Sequence, residues 1–328
     1  TPTKTVTPTV TPTVTVTPTK TVTPTPTPSS AANYATQKAI FGYGYSSSGR
    51  QSMTNLVNSS GVVSTDTTGV GTTRFTLAAA GYGTDKAIFG YGLTTVNSSL
   101  TNLVSNTGVV ATDTTGVGSA RESLAATVYG NDKAMFGYGY TNTPVSITNL
   151  VSNTGVVSTD TTGVGTARFG LAAAKYGTSG TAIFAFGSNG TVQNVSNLVS
   201  NTGVVATDTA GVGTARSFLA AANYGTDKAI FNYGSTTGNT SGVFRRKNLV
   251  SNVGVVASDD VNDIGTARFG LAAATYGGNK AIFGYGMNGS AQYIAITNLV
   301  DNNGNVATDT AGVGTGRYYI AAAGYSLS

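Results

Sequence analysis

The chain alternates short apolar runs with clusters of Gly, Asn, Asp, Ser and Thr, and from residue 31 onward that alternation is itself repeated. An Ala-Ile-Phe run, Ala-Met-Phe in one copy, begins at Ala39, Ala87, Ala134, Ala182, Ala229 and Ala281, at intervals of 47 to 52 residues. Each leads into a Gly-aromatic-Gly cluster such as Gly42-Tyr43-Gly44, with Ala185 and Asn232 replacing the first glycine in two copies. After a loop of variable length comes Asn-Leu-Val, starting at Asn55, Asn102, Asn149, Asn197, Asn248 and Asn298. A Gly-Val-Val type segment follows, carrying an aspartate at a fixed place: Asp66, Asp113, Asp160, Asp208, Asp259 and Asp309. A Gly-Val-Gly turn, altered at Asp263-Ile264-Gly265, then precedes Arg74, Arg121, Arg168, Arg216, Arg268 or Arg317 and an alanine-rich run. Each unit predicts four short strands bounded by turn residues, and long segments with the 3.6-residue period of a helix are missing.

Four strands in about fifty residues is the size of one propeller blade, whereas a parallel β-helix uses a shorter coil. The pattern resembles kelch repeats: an Arg before a small-residue strand, an aromatic strand ending in a glycine cluster, and a turn before the next Arg. The resemblance covers residues 31–328, without the tryptophan and strict double glycine usual in that family. It implies an all-β fold, a six-bladed β-propeller of four-stranded blades. The missing histidine and Trp-Asp signatures separate the chain from WD-repeat propellers.

The last Arg-led strand, 317–325, has no anchor after it, and the first anchor has no such strand before it. Pairing of 317–325 with residues 38–44 is therefore expected, which removes two open sheet edges. Ala31-Ala32-Asn33-Tyr34 matches Ala221-Ala222-Asn223-Tyr224 and competes for the same slot, as a spacer or as a strand added to another subunit. The alanine triplets are expected near the crowded axis and Ile, Phe, Leu and Val between blades. Tyr82, Tyr129 and Tyr176 are expected to close blade ends through their hydroxyls.

Residues 1–30 differ in kind. Threonine occupies Thr1, Thr3, Thr5, Thr7, Thr9, Thr11, Thr13, Thr15, Thr17, Thr19, Thr21, Thr23, Thr25 and Thr27, alternating with Pro, Val or Lys. Proline fixes φ and removes a donor, so an extended stalk is predicted, with those threonines as O-glycosylation candidates. It is expected to contact neighbouring subunits; a flexible linker is the plainer alternative.

Only 9% of residues are charged and the net charge is +5, with no histidine, cysteine or tryptophan. Disulfides, Cys or His zinc sites and imidazole or thiolate catalysis are thereby excluded. No basic face with interleaved aromatics suggests a nucleic-acid partner, and no apolar run is long enough to span a bilayer. A chain opening on Thr1 fits an exported product whose leader is gone, and an extracellular or cell-surface location is expected.

An aspartate recurring once per unit reads as structural, its carboxylate taking turn amides or facing the nearby Arg. Glu122 is the only glutamate, so the paired carboxylates of glycoside cleavage would have to be drawn from repeat aspartates. The expectation is a protein that is not an enzyme and holds no cofactor. Asp259, Asp260 and Asp263 are weak cation candidates, as is Asp301-Asn302-Asn303-Gly304-Asn305, though neither has full calcium-loop spacing. Arg245-Arg246-Lys247 is the one basic cluster. Asn58, Asn97, Asn189, Asn194, Asn239 and Asn288 stand in Asn-x-Ser/Thr sequons, all but Asn58 in the variable loops. The function expected is a structural subunit of a glycosylated extracellular filament, with copies of itself as partner. The alternative is a receptor- or carbohydrate-binding head of a surface or phage fibre.

Overall fold

The computed structural model describes residues 1–3, 37–260, 262 and 264–325. The chain divides into two compact units, residues 1–31 and residues 32–328. In the first, Thr1 and Thr3 are exposed; the threonines from Thr5 to Thr27 lie outside the described residues, as do Ala31-Ala32-Asn33-Tyr34.

The second unit is all β, and its described residues form six three-stranded antiparallel sheets plus two two-stranded ones. Five of the six are contiguous in sequence. Ala78–Tyr82 pairs with Lys86–Gly90, which pairs with Thr101–Val104. The same order holds for Ala125–Tyr129, Lys133–Tyr140 and Pro144–Val151, and for Ala172–Tyr176, Thr181–Ala185 and Ser196–Val199. It holds again for Ala220–Tyr224, Lys228–Asn232 and Asn248–Val250, and for Ala272–Tyr276, Lys280–Gly284 and Thr297–Val300. The sixth sheet joins the ends of the unit: Ala321–Tyr325 pairs with Lys38–Gly42, with Lys38 opposite Tyr325 and Gly42 opposite Ala321. Thr54–Val57 completes it.

The unbroken apolar anchor follows from burial of both faces of the middle strand. Ile40 packs with Phe89, Val104 and Ala323, while Phe41, on the other face, packs with Ala274, Ile282 and Tyr285. Each of the six hydrophobic clusters is shared by two sheets consecutive along the chain, and the last couples the Ala272–Tyr276 sheet to the Lys38–Gly42 sheet. Glycine ends the anchor because a ring from the next repeat lies over it: a Cβ on Gly42 would sit 2.7 Å from Phe89 Cζ. Where Ala185 and Asn232 stand instead, the adjacent aromatic pairs open to 5.5 and 5.6 Å, against 5.0 to 5.2 Å at the four glycine copies.

The alanine strands line one narrow cavity of about 70 Å3, to which all six contribute small side chains. At one end of it the backbone makes a closed circuit of hydrogen bonds. The amide of Ser123 donates to Thr76 O, Gly170 to Ser123, Phe218 to Gly170, Gly270 to Phe218, Tyr319 to Gly270 and Thr76 to Tyr319, at 2.6 to 2.9 Å. At the other end the tight Tyr-Gly turns link onward, as Gly83 N to Asp132 O at 2.7 Å and Gly277 N to Gln37 O at 2.9 Å.

The fourth segment of each unit is not a regular strand among the described residues. It touches the third strand at two isolated bridges, Val57 to Val63 and Thr54 to Thr67 in the first copy. Between the bridges two residues, Asn55 and Leu56, face three on the other side, residues 64–66, so a bulged residue interrupts the ladder. The buried Asn55 amide fills the break, donating to Ser64 O at 3.0 Å and to Asp66 Oδ1 at 2.9 Å. Among the described residues, the tyrosine hydroxyls with backbone acceptors are those of the Gly-aromatic-Gly clusters, for example Tyr43 to Val70 O at 3.1 Å and Tyr91 to Val117 O at 3.0 Å.

Candidate functional site

Two sets of polar residues recur in every unit, and their geometry separates scaffold from site. The six arginines are fully buried, each reaching between neighbouring sheets. Arg168 donates from Nε to Phe186 O at 2.8 Å, from Nη1 to Thr166 O at 3.0 Å and from Nη2 to Asn197 Oδ1 at 2.6 Å. Its guanidinium lies 4.5 Å from the Tyr138 ring centroid, and Asp208 stands 3.8 Å away. Burial pulls Arg216 down to about 10, with Asp259 pulling it back up, so these side chains stay cationic at neutral pH.

The repeated aspartates clamp successive units together. Asp113 accepts from the amide and hydroxyl of Thr72 at 3.0 and 2.6 Å, and Asp160, Asp208, Asp259 and Asp309 take Ser119, Thr166, Thr214 and Thr266 alike. The sixth clamp spans the chain, Thr315 donating to Asp66 at 2.9 and 2.7 Å. Burial pushes these carboxyls up, but hydrogen bonds from the hydroxyl, the buried Asn and the amide outweigh it and hold all six below the usual carboxylate range. A depressed folded-state value means stability that is present above the unfolded value, near pH ~3.9, and lost as pH falls through the folded values. Thermal midpoints are therefore expected to hold steady from pH 7 to about pH 5 and to fall below about pH 4. Asp113→Asn should blunt that acid fall; an unchanged acid limb in the variant would refute the clamp's contribution.

Asp259 is thus committed to Thr214 and Asn248, and Asp260 pairs with Lys247 Nζ at 3.2 Å; Asp263 lies outside the described residues. Asp301 closes its own loop, accepting from Asn303, Asn305 and the Asn305 side chain. Of the sequon asparagines, Asn58, Asn189 and Asn239 are exposed, while Asn97, Asn194 and Asn288 are half-buried. The side-chain amides of Asn97 and Asn194 donate to backbone carbonyls, and that of Asn288 donates to Gln292.

The chemistry outside the scaffold lies at the end of the cavity carrying the hydrogen-bond circuit. All six circuit residues have left-handed φ, between 51° and 61°, where glycine is least strained. Gly170 and Gly270 obey that preference; Phe218 and Tyr319 do not, and their rings stand 5.0 Å apart. A bulky residue at such φ costs of order 1–2 kcal/mol, and strain of this kind clusters at functional sites. The residue after each arginine adds Phe75, Glu122, Phe169, Ser217, Phe269 and Tyr318 to the same end. Ring contacts of 4.2 to 6.4 Å connect Tyr45, Phe75, Phe218, Phe269, Tyr293, Tyr318 and Tyr319, and extend through Phe169 to Tyr140.

Among the described residues, two depressions of several hundred Å3 open beside these rings. One, of about 470 Å3, is lined by Phe75, Glu122, Tyr140, Phe169, Phe218 and Tyr319 among others. Its wall is raised by the long hairpin Lys133–Tyr140 and Pro144–Val151. The other, of about 520 Å3, shares Phe169 and Phe218 and is edged by the loops at Thr191 and Thr236. Ser217 lines it with a fully buried hydroxyl that has no partner. Glu122 is the sole acid lining the first depression. Burial pushes its carboxyl above the usual range, and the Thr76 hydroxyl, donating at 3.0 Å, works against that rise.

Sequence reasoning placed Glu122 outside the repeat but not the aromatic mouth, because rings about 47 residues apart converge only in the fold. The available signal was variation at the two positions after each arginine, within a stretch that outside the loop before Asn-Leu-Val varies little. A comparison with protein-family models finds no matching family, and one with curated proteins finds no match. Among the described residues, no helix is long and apolar enough to cross a membrane.

Proposed function

We propose that residues 31–328 form a six-bladed, kelch-like β-propeller that acts as a non-enzymatic saccharide-binding head, displayed outside the cell on the Thr/Pro stalk. The closed six-bond circuit and the six shared hydrophobic clusters support the propeller. One observation carries the binding role: half-buried aromatics occupy strained positions around depressions large enough for a small ligand, where other copies use Gly, Ser or Thr. Flat rings stack on the apolar faces of sugars.

Phe218→Gly tests this reading. It removes a wall ring and also relieves the left-handed backbone, so stability should change by less than about 1 kcal/mol. Binding on an array of neutral and charged glycans should fall at least about tenfold. Unchanged binding, or an array empty for the parent chain, sinks the proposal.

A second reading, the structural filament subunit, is favoured by Val62, Val109, Val156, Val204 and Val255. They stand 61 to 66% exposed at equivalent turns. Electron microscopy of native material should then show regular fibres; monodisperse particles would count against it.

A further inference from the structure

We infer that the ligand of the Glu122 depression carries a positive charge, an ammonium group held against the Glu122 carboxylate between aromatic faces. This deepens the saccharide-binding reading and rests on it: the class singled out is sugars with a free amino group.

The argument is one of uncompensated charge. Among the described residues the other acids have cations or donors close by, as Asp85 has Lys86 at 2.6 Å and Asp132 has Lys133 at 2.7 Å. Glu122 has one hydroxyl donor, from Thr76, and no lysine or arginine lines the depression. A half-buried carboxylate among aromatic rings, with no cation beside it, is a cost that a scaffold position has no reason to carry. Its position also holds no packing need for an acid, since Phe75, Phe169, Phe269 and Tyr318 follow the arginine in four other copies.

What surrounds Glu122 is suited to an organic cation. Tyr140 lies directly across from it, their backbones exchanging hydrogen bonds at 2.8 and 3.0 Å, and Tyr140 and Phe169 have ring centroids 5.2 Å apart. Phe75 and Tyr319 line the same depression, their ring centroids 6.2 Å apart. Ring faces attract ammonium groups through their quadrupoles, most strongly where water is excluded, and the carboxylate supplies the neutralising charge. A carboxylate or sulfate sugar would meet repulsion there, and a neutral sugar could offer Glu122 hydroxyl donors but no neutralising charge.

The test is calorimetric titration of the full chain at about pH 6.5, where hexosamine amines are largely protonated. The probes are glucosamine oligomers, their N-acetylated counterparts and tetramethylammonium. The inference expects glucosamine oligomers to bind at least about tenfold tighter than the acetylated ones, with Glu122→Gln erasing that difference. The same variant should unfold at an equal or higher temperature, because a desolvated charge is gone, and that separates lost recognition from lost folding. Phe169→Leu provides a second variant, expected to weaken glucosamine and tetramethylammonium alike. Equal binding of both oligomers, unaffected by Glu122→Gln, overturns the charge inference and leaves saccharide binding standing. Glu122-dependent binding of tetramethylammonium with neither oligomer bound keeps the cation site and overturns the sugar reading. No binding of any probe overturns both.

Discussion

Truncation after Gly316 is expected to abolish cooperative unfolding of the repeat domain. The lost segment supplies the Ala321–Tyr325 strand, the Arg317 side chain that bonds Met53 and Asn55, and the Tyr319 amide and carbonyl of the backbone circuit. Without it, Lys38–Gly42 keeps one neighbour and presents its other edge to solvent, while Ala39 and Phe41 on one face lose Ala322 and Ile40 on the other loses Ala323. Domain stability is typically about 5–15 kcal/mol, and losses on this scale exceed it. The truncated chain should elute as aggregates or oligomers in light scattering and show no single calorimetric transition. A synthetic peptide of residues 317–325 added in trans should restore part of that transition, since an open edge accepts a matching strand. A monomeric truncated chain melting within a few degrees of the parent would show the joint to be dispensable.

Arg168→Ala is the second large effect. It strips donors from Phe186 O, Thr166 O and Asn197 Oδ1 at once. An orphaned buried acceptor costs about 1–3 kcal/mol, so a loss of at least about 4 kcal/mol is expected, in line with breaking a buried ionic group. Urea unfolding at neutral pH gives the value. Arg168→Lys keeps the charge but one ammonium cannot span three coplanar acceptors, and about half the loss should remain. Asp208→Ala, on the exposed side of the clamp, should cost about 1 kcal/mol. Equal costs for the Arg and Asp variants would contradict the division of labour between buried tie and surface clamp.

Much of this scaffold was legible in the chain. Six anchors fixed six middle strands, and the unmatched ends pointed to the pairing of Lys38–Gly42 with Ala321–Tyr325. The number of strands per sheet was not legible, because the bulge facing Asn55 depends on a side chain substituting for a backbone bond, which hydrophobic pattern does not encode. The repeated Asp was expected to serve its own turn or the nearby Arg. It does lie near the Arg, as Asp113 does to Arg74 at 3.6 Å, but its main partner is the turn of the preceding unit. Local sequence could not reveal that, as Thr72 and Asp113 are neighbours only through packing of one sheet on the next.

The seam between Lys38–Gly42 and Ala321–Tyr325 has a temporal side. A ribosome adds about 5–20 residues per second, so the earliest sheet waits roughly 15–60 s for its last member to be made. Throughout that interval a nascent chain holds a sticky flank available to any neighbour emerging nearby. Polysomes crowded with this message would thus be prone to exchange strands between chains, and faster elongation on sparsely loaded messages would favour self-contained molecules.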